Sequence, residues 1–354
     1  MSDLNKFYKK KKILVTGNTG FKGAWLSQAL ISFGAKVVGL SKDIPTKPSM
    51  YNILNLKKKT KTYFFDINNL NKLKNIIKKE KPDIIFHCAA QSLVLKSLQK
   101  PIETFNTNSI GSINLLESIK NYKKNLAIVM VTSDKCYYPT NKGYYKENSL
   151  LGGIEPYGAS KAMAEIAIKS YFESYIKNNK KINLVTVRAG NVIGGGDWSS
   201  DRLLPDLFKN WKKNKIIKIR SPNANRPWQH VLEPVGAYIF IAKKIFRSKI
   251  FFKNYNIGPK GTSNLTVVNL IHLINKNWKL RKIKFKIFEK KKTVEATNLN
   301  LNVAKIKKEL GWENKLKIDE TIKFVCEWYS VYFKNSGDIK KITSDQIKKY
   351  FMLW

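Results

Sequence analysis

Between Ile13 and Arg188, short apolar runs alternate with longer amphipathic stretches. Runs of that length are buried on both faces, and the alternation predicts strand–helix–strand units that build a parallel sheet covered by helices. The predicted strands are Ile13–Thr16, Lys36–Leu40, Thr62–Phe65, Asp83–His87, Leu126–Thr132 and Asn183–Arg188. Helices are predicted over Gly20–Phe33, Leu70–Lys79, Ile102–Tyr122 and Pro156–Lys177. After Gly196 the pattern turns irregular and rich in Trp, Pro and Asn, then becomes helical again near Thr266–Trp278, Val303–Leu310 and Asp319–Tyr332. A chain of 354 residues is long enough for two lobes around one cleft. The expected division is 1–195, a doubly wound α/β domain, then 196–335, a smaller mixed substrate lobe with parts returning to the first domain. A weakly ordered tail is expected over 336–354.

The formal charge of +41 has two readings. A basic surface can draw in nucleic acid or an anionic membrane. Alternatively, compositional drift has filled solvated faces with lysine, since only six of the basic residues are arginine and the lysines are spread along nearly the whole chain. The second reading is favoured, so no nucleic acid and no membrane partner is expected. No apolar run approaches the ~18 to 20 residues of a spanning helix. The start, Met1–Lys12, is polar and basic, unlike a secretory leader. Cys88, Cys136 and Cys326 lack metal-type spacing, which predicts free thiols, a cytoplasmic protein, and no metal.

Lys12-Ile-Leu-Val-Thr-Gly-Asn-Thr-Gly-Phe-Lys-Gly23 runs from a strand through three glycines into a helix. Gly17 permits a tight turn, Gly20 lets backbone approach a pyrophosphate, and Gly23 allows close helix-to-sheet packing. The motif stands at the first strand–helix junction, the context that gives a glycine triplet meaning. It predicts a Rossmann-type domain, with Gly17, Thr19, Gly20, Phe21, Lys22 and Gly23 at a dinucleotide. Ser41, Lys42 and Asp43 follow the second strand; a carboxylate there suits NAD and a lysine suits NADP. Asp66 is read either as an adenine contact, with Ile67 beside it, or as a helix cap.

Tyr157 and Lys161 stand four apart at the start of a long predicted helix and share one face. The ammonium is expected to pull the phenol from ~10 toward neutrality, giving a base for a hydroxyl proton. The fifth strand ends in Thr132-Ser133-Asp134-Lys135, at the carboxyl edge where ligands of such sheets bind.

With these residues in place, the chain resembles the extended short-chain dehydrogenases acting on nucleotide-sugars, and among them the CDP-glucose 4,6-dehydratases. The likeness rests on Thr16–Gly23, His87-Cys-Ala-Ala-Gln91, Thr132-Ser-Asp-Lys-Cys-Tyr137, Arg188-Ala-Gly-Asn-Val-Ile-Gly-Gly-Gly-Asp-Trp198, Arg226-Pro-Trp-Gln-His-Val231, Glu295-Ala296 and Gly311-Trp312. Asp134-Lys135 is the discriminating pair, since the dTDP- and GDP-sugar dehydratases carry an Asp-Glu or similar acid pair there.

The resemblance implies NAD as cofactor, CDP-glucose as substrate, a homodimer joined through the helices Ile102–Tyr122 and Pro156–Lys177, and a role in deoxysugar biosynthesis such as that of lipopolysaccharide O-antigen. It also implies oxidation at C4 with Tyr157 as base, elimination across C5 and C6 with Asp134 as acid, and return of the hydride to C6. Lys135 is either the C5 base, which requires a pKa lowered by roughly three units from ~10.4, or a charge that steadies the enolate. Ser133 is expected on the 4-oxygen, Gln91 along nicotinamide and sugar with Ala89 and Ala90, and Asn108 as a brace. Asn191, Arg202 and Arg226 are expected on the diphosphate, where fork-shaped donors suit paired anions. Trp198, Trp228 and His230 either meet the nucleotide or fill the lobe interface. His87 and Arg188 are read as structural. The rivals are an epimerase, a dehydratase for another nucleotide, and a non-catalytic dinucleotide- or RNA-binding relative.

Overall fold

The protein is described by a computed structural model covering residues 1–140, 143–219, 221–248, 252–259, 265–288 and 300–354. Glu295 and Ala296 lie outside the described residues. The strands are β1 (Lys12–Thr16), β2 (Lys36–Ser41), β3 (Lys61–Phe64), β4 (Ile84–His87), β5 (Leu126–Val131), β6 (Ile182–Ala189), β7 (Val192–Ile193), β8 (Ile217–Ile219), β9 (Gln229–His230), β10 (Phe252–Ile257) and β11 (Phe285–Ile287). Seven of them form one sheet in the order β10-β6-β5-β4-β1-β2-β3, with every neighbouring pair parallel. The strand order reverses between β1 and β4, and the crevice beyond the carboxyl ends of these two strands is where such sheets bind ligands.

Alternation of side chains along β1 sorts them into two cores. Ile13 and Val15 pack with Trp25 and Leu26 of the helix Phe21–Ser32 and with the helix Leu232–Phe246. Leu14 faces the opposite layer, with Leu73, Leu115 and Ile168 from the helices Leu70–Glu80, Gly111–Ile119 and Pro156–Tyr171. The predicted helix over Ile102–Tyr122 is a helical run from Pro101 that passes through a π turn at Asn106–Ile110.

Two features depart from the sequence reading. β10 joins the sheet edge from beyond residue 250, pairing Phe252 to Leu184 and Ile257 to Ala189. Its Lys253, Asn254 and Asn256 broke the apolar pattern. Asn256 is nevertheless fully buried, because its side chain bonds the Tyr145 and Asn302 carbonyls. The tail after Lys334, expected to be weakly ordered, is a helix over Ile339–Met352 capped by Asp338. It buries Thr343, Ile347, Tyr350 and Phe351, with Phe351 edge-on to Phe33 at 4.9 Å. Lys340, Lys341, Lys348 and Lys349 masked this apolar stripe in composition, although long cationic side chains sit comfortably on the outer face of such a helix.

Candidate active site

The glycine turn after β1 is closed tightly. Gly17 has φ +72, and a Cβ there would come within 2.8 Å of Cys88 C and Ala89 N; one on Gly23 would lie 2.0 Å from Gly17 O. Around this turn Ser41 Oγ donates to Asn18 Oδ1 at 2.9 Å, Thr19 N donates to Ser41 Oγ at 3.3 Å, and Thr19 Oγ1 donates to Asp43 O at 2.6 Å. Gly20 is the cap of the helix Phe21–Ser32, so the free N–H groups of its first turn face the crevice beside Phe21 and Lys22. A backbone cradle at a helix N-terminus fits the pyrophosphate of a dinucleotide.

Asp66 pairs with Lys42 at 3.1 Å and accepts from Asn68 N at 3.0 Å. Burial works to raise its pKa, but the Asn68 N–H and Lys42 outweigh burial and hold it below the usual range. Ile67 is buried against Gly111. Ala89 N donates to Thr16 Oγ1 at 3.1 Å, and Ala89 and Ala90 are half-buried after β4. His87 is locked between Thr16 and Ser112, and burial pushes it down to about 3; it is a core residue.

The acid and base residues meet where β5 ends against the start of the helix Pro156–Tyr171. A Cβ on Gly158 would lie 2.6 Å from Lys135 O, so the Asp134–Cys136 turn touches the first turn of that helix. Ser133 Oγ donates to Asp134 Oδ1 at 3.0 Å, and Ser133 pulls the pKa of the Tyr157 phenol downward against its burial. Asp134 is 2% exposed, and its Oδ2 has no hydrogen-bond partner. Burial raises its pKa against the pull of Lys135, Ser133, Lys22 and Arg226, which favours the protonated acid. Lys135 is half-buried beside it.

Tyr157 and Lys161 are both buried. Burial lowers Lys161 to about 8, assisted by Lys22, and Lys161 Nζ donates to Val131 O at 3.3 Å. Burial also pushes Tyr157 up to about 12. The expected depression of this phenol is therefore not produced by the protein alone, because desolvation outweighs the pull of neighbouring donors and charges.

One positioning residue was not read from the sequence, whereas the brace expected at Asn108 was. Glu155 caps the helix, accepting from Tyr157 N at 2.7 Å and Gly158 N at 3.0 Å; an acid directly before a proline at the first helical position was the available signal. Asn108, in the π turn, accepts from Gln91 N at 2.8 Å and donates to Gln91 O at 3.0 Å and Ser160 Oγ at 2.9 Å. It thus braces the β4 loop to the catalytic helix. The Gln91 side-chain amide is spent on Leu93 and Thr104.

Arg202 Nη1 pairs with Asp197 at 3.1 Å and Nη2 donates to Ser92 Oγ at 3.1 Å. Arg226 is almost fully buried, donates to Asn225 O at 2.9 Å and lowers the pKa of Asp134 from nearby. Asn191 is half-buried at the head of β7. His230, one of the candidate substrate contacts, is corrected: it is fully buried, edge-on to Trp25 and Phe324, and burial drives it to about 3. Its ring is enclosed by the core, with Nδ1 accepting from Leu232 N at 3.2 Å. Trp198 packs among Tyr329 and Tyr332 at 5.5 and 4.9 Å, and Trp228 Nε1 donates to Leu265 O at 3.2 Å, so both fill the lobe interface.

Comparison with known proteins adds sequence and fold evidence. The chain is 38% identical over 342 residues to a CDP-glucose 4,6-dehydratase of Salmonella typhimurium, covering 94% of each chain. It is 25% identical over 281 residues to a UDP-glucose 4-epimerase of Mycoplasma genitalium, covering 74% of this chain and 80% of the relative. In fold it is similar to the crystal structure of a dTDP-glucose 4,6-dehydratase from Bacillus anthracis in complex with NAD, with a TM-score of 0.75 at 24% identity, covering 92% of this chain and 98% of that one. A family model for GDP-mannose 4,6 dehydratase matches residues 14–325, and the chain belongs to that family.

Proposed function

We propose that this chain is an NAD-dependent hydro-lyase converting CDP-glucose to CDP-4-dehydro-6-deoxyglucose and water. The observation that carries the reading is the juxtaposition of a buried, unsatisfied Asp134 carboxyl with Tyr157 and Lys161 at one sheet edge. An epimerase needs the tyrosine and lysine but not an acid for a departing hydroxyl. Relatedness to the Salmonella dehydratase supports the cytidine nucleotide.

Gly17, Thr19, Gly20, Phe21, Lys22, Gly23, Asp66, Ile67, Ala89 and Ala90 would hold NAD, which when bound would supply a reversible hydride acceptor. Tyr157 takes the proton of the 4-hydroxyl while Ser133 bonds the same oxygen, and Lys161 lends positive charge that makes the phenolate accessible. The 4-ketone makes the C5 hydrogen acidic. Lys135 removes that proton, and Asp134 protonates the departing 6-hydroxyl so that it leaves as water. Arg202, Arg226 and Asn191 hold the diphosphate, and Gln91 fixes the loop along the nicotinamide.

The helices through 101–119 and 156–176 expose Ile102, Met163 and Ile166, which supports a homodimer through this face. The enzyme is read as cytoplasmic, feeding deoxysugar biosynthesis. The deciding assay incubates the protein with NAD and CDP-glucose and follows mass loss of one water together with the alkaline absorbance of the 4-keto sugar. Reaction with CDP-glucose but not with dTDP-, GDP- or UDP-sugars is expected. Unchanged mass with inversion at C4 would replace this reading with epimerisation.

A further inference from the structure

One buried ion pair has no part in the steps above. Glu165 lies one turn beyond Lys161 and two beyond Tyr157 on the same helix, and it is 3% exposed. Its Oε1 accepts from Thr132 Oγ1; its Oε2 accepts from Thr186 Oγ1 and from Arg188 Nη2, each at 2.8 Å. The other arm of the guanidinium, Arg188 Nη1, donates to Tyr137 OH at 2.8 Å and to Glu147 O at 2.9 Å. Thr132 and Tyr137 are the residues that bracket Ser133–Cys136. The acid-bearing turn is therefore tied at both ends to a single pair rooted on the catalytic helix.

Buried ion pairs are weak sources of stability, because desolvating two charges offsets their attraction, and apolar replacements often serve a fold as well. Their use is to hold groups in one arrangement, as a supporting shell does for a site. Tyr157 has a separate anchor, its backbone N–H held by Glu155 and Ser97. Loosening the pair should free the Ser133–Lys135 turn and leave the tyrosine in place.

We infer that Glu165 and Arg188 are positioning residues that hold Asp134 and Lys135 in register for the elimination step, which depends on them more than C4 oxidation does. This rests on the dehydratase reading. An acid must stand within about 2.6 to 3.2 Å of the oxygen that it protonates, and a displacement of ~1 Å can cost about a hundredfold in rate.

The test is Glu165→Gln, which keeps the size and loses the charge, with Tyr137→Phe and Thr132→Val each cutting one tie. Two readouts are taken. Single turnover of NAD-loaded enzyme with CDP-glucose follows reduction of the nicotinamide by its near-ultraviolet absorbance and release of water by mass. Hydrogen exchange over residues 132–137 is measured without sugar. For Glu165→Gln the expected result is a fall of ~100-fold in dehydration, a smaller fall in nicotinamide reduction, since Ser133 and Lys161 also feel the loss of this charge, persistence of the reduced cofactor, and faster exchange across the turn. Tyr137→Phe and Thr132→Val should show the same pattern more weakly, and they carry the test should Glu165→Gln not fold. Equal slowing of reduction and elimination, or unchanged exchange in the turn, would overturn the inference. Failure of the wild-type chain to dehydrate CDP-glucose would instead sink the functional reading, while the exchange comparison still reports what the pair does to the turn.

Discussion

The cofactor side and the sugar side of the cleft are built on different principles. Around the glycine turn, polar groups find their partners inside the protein: Asn18, Thr19 and Ser41 bond one another or the adjacent loop, and the shape is fixed by what a Cβ at Gly17 or Gly23 would strike. Across the cleft, Arg202 leans on Asp197 and Ser92, and Asp134 Oδ2 has no partner. The first site is formed in backbone and changes little on binding. On the proposed function, the second is formed in side chains, and Arg202 would exchange its partners for the diphosphate. That division suits a cofactor that ends each cycle as it began and a substrate that must leave.

Substitutions can break or sharpen this contrast. Tyr157→Phe should have the largest effect, lowering kcat by ~10² to 10⁴, the usual span for a general base, with cofactor affinity retained; bound nicotinamide after gel filtration checks the second half. Gly23→Ala should abolish dinucleotide retention, because the new Cβ meets the Gly17 carbonyl at 2.0 Å, and titration of NAD by intrinsic fluorescence would show it. Asp134→Asn should lower dehydration by ~10² and alter the pH profile. The Asp134 pKa is raised by burial, so its acid form is present at low pH and is lost as pH rises through that value; the variant should lose this basic limb. Arg202→Ala should raise KM by about tenfold, the loss of a charge-assisted contact worth ~1.5 kcal/mol, with a smaller change in kcat.

The smallest expected effect lies outside the cleft, at Glu233. This side chain accepts from Lys315 N, Leu316 N and Tyr350 OH, and burial raises it to about 7. A carboxyl whose pKa is higher folded than unfolded binds more protons in the native state, so stability falls as pH rises from ~4.3 to about 7. Glu233→Gln should flatten that slope in thermal melts. A slope unchanged in the variant would assign it to other groups.

What the sequence disclosed follows the distance over which each feature is encoded. The glycine triplet, Tyr157 with Lys161, and Asp134 with Lys135 are local patterns at strand ends, and strand periodicity alone placed them on one sheet edge. Glu165 gains meaning only through partners such as Thr132, Thr186 and Arg188, which no spacing rule connects. His230 shows the converse: a polar residue in a motif segment was read as a contact, yet the fold closes Trp25 and Phe324 over it. Asn108 depends on a π turn, which inserts one extra residue into a helix and shifts which face its side chains occupy.

The late edge strand has a consequence for how the chain acquires its structure. β10 aligns residues 252–257 with residues 184–189 of β6, so the sheet is completed by chain synthesised more than sixty residues later. Parallel pairing over such a separation carries a loop-closure cost before it is rewarded. During synthesis, the outer edge of β6 therefore stays open until the segment beyond residue 250 has emerged, and an unpaired strand edge is where nascent chains associate wrongly. The sheet that carries Arg188 and the acid turn thus reaches its final form only after the polypeptide has left it and returned.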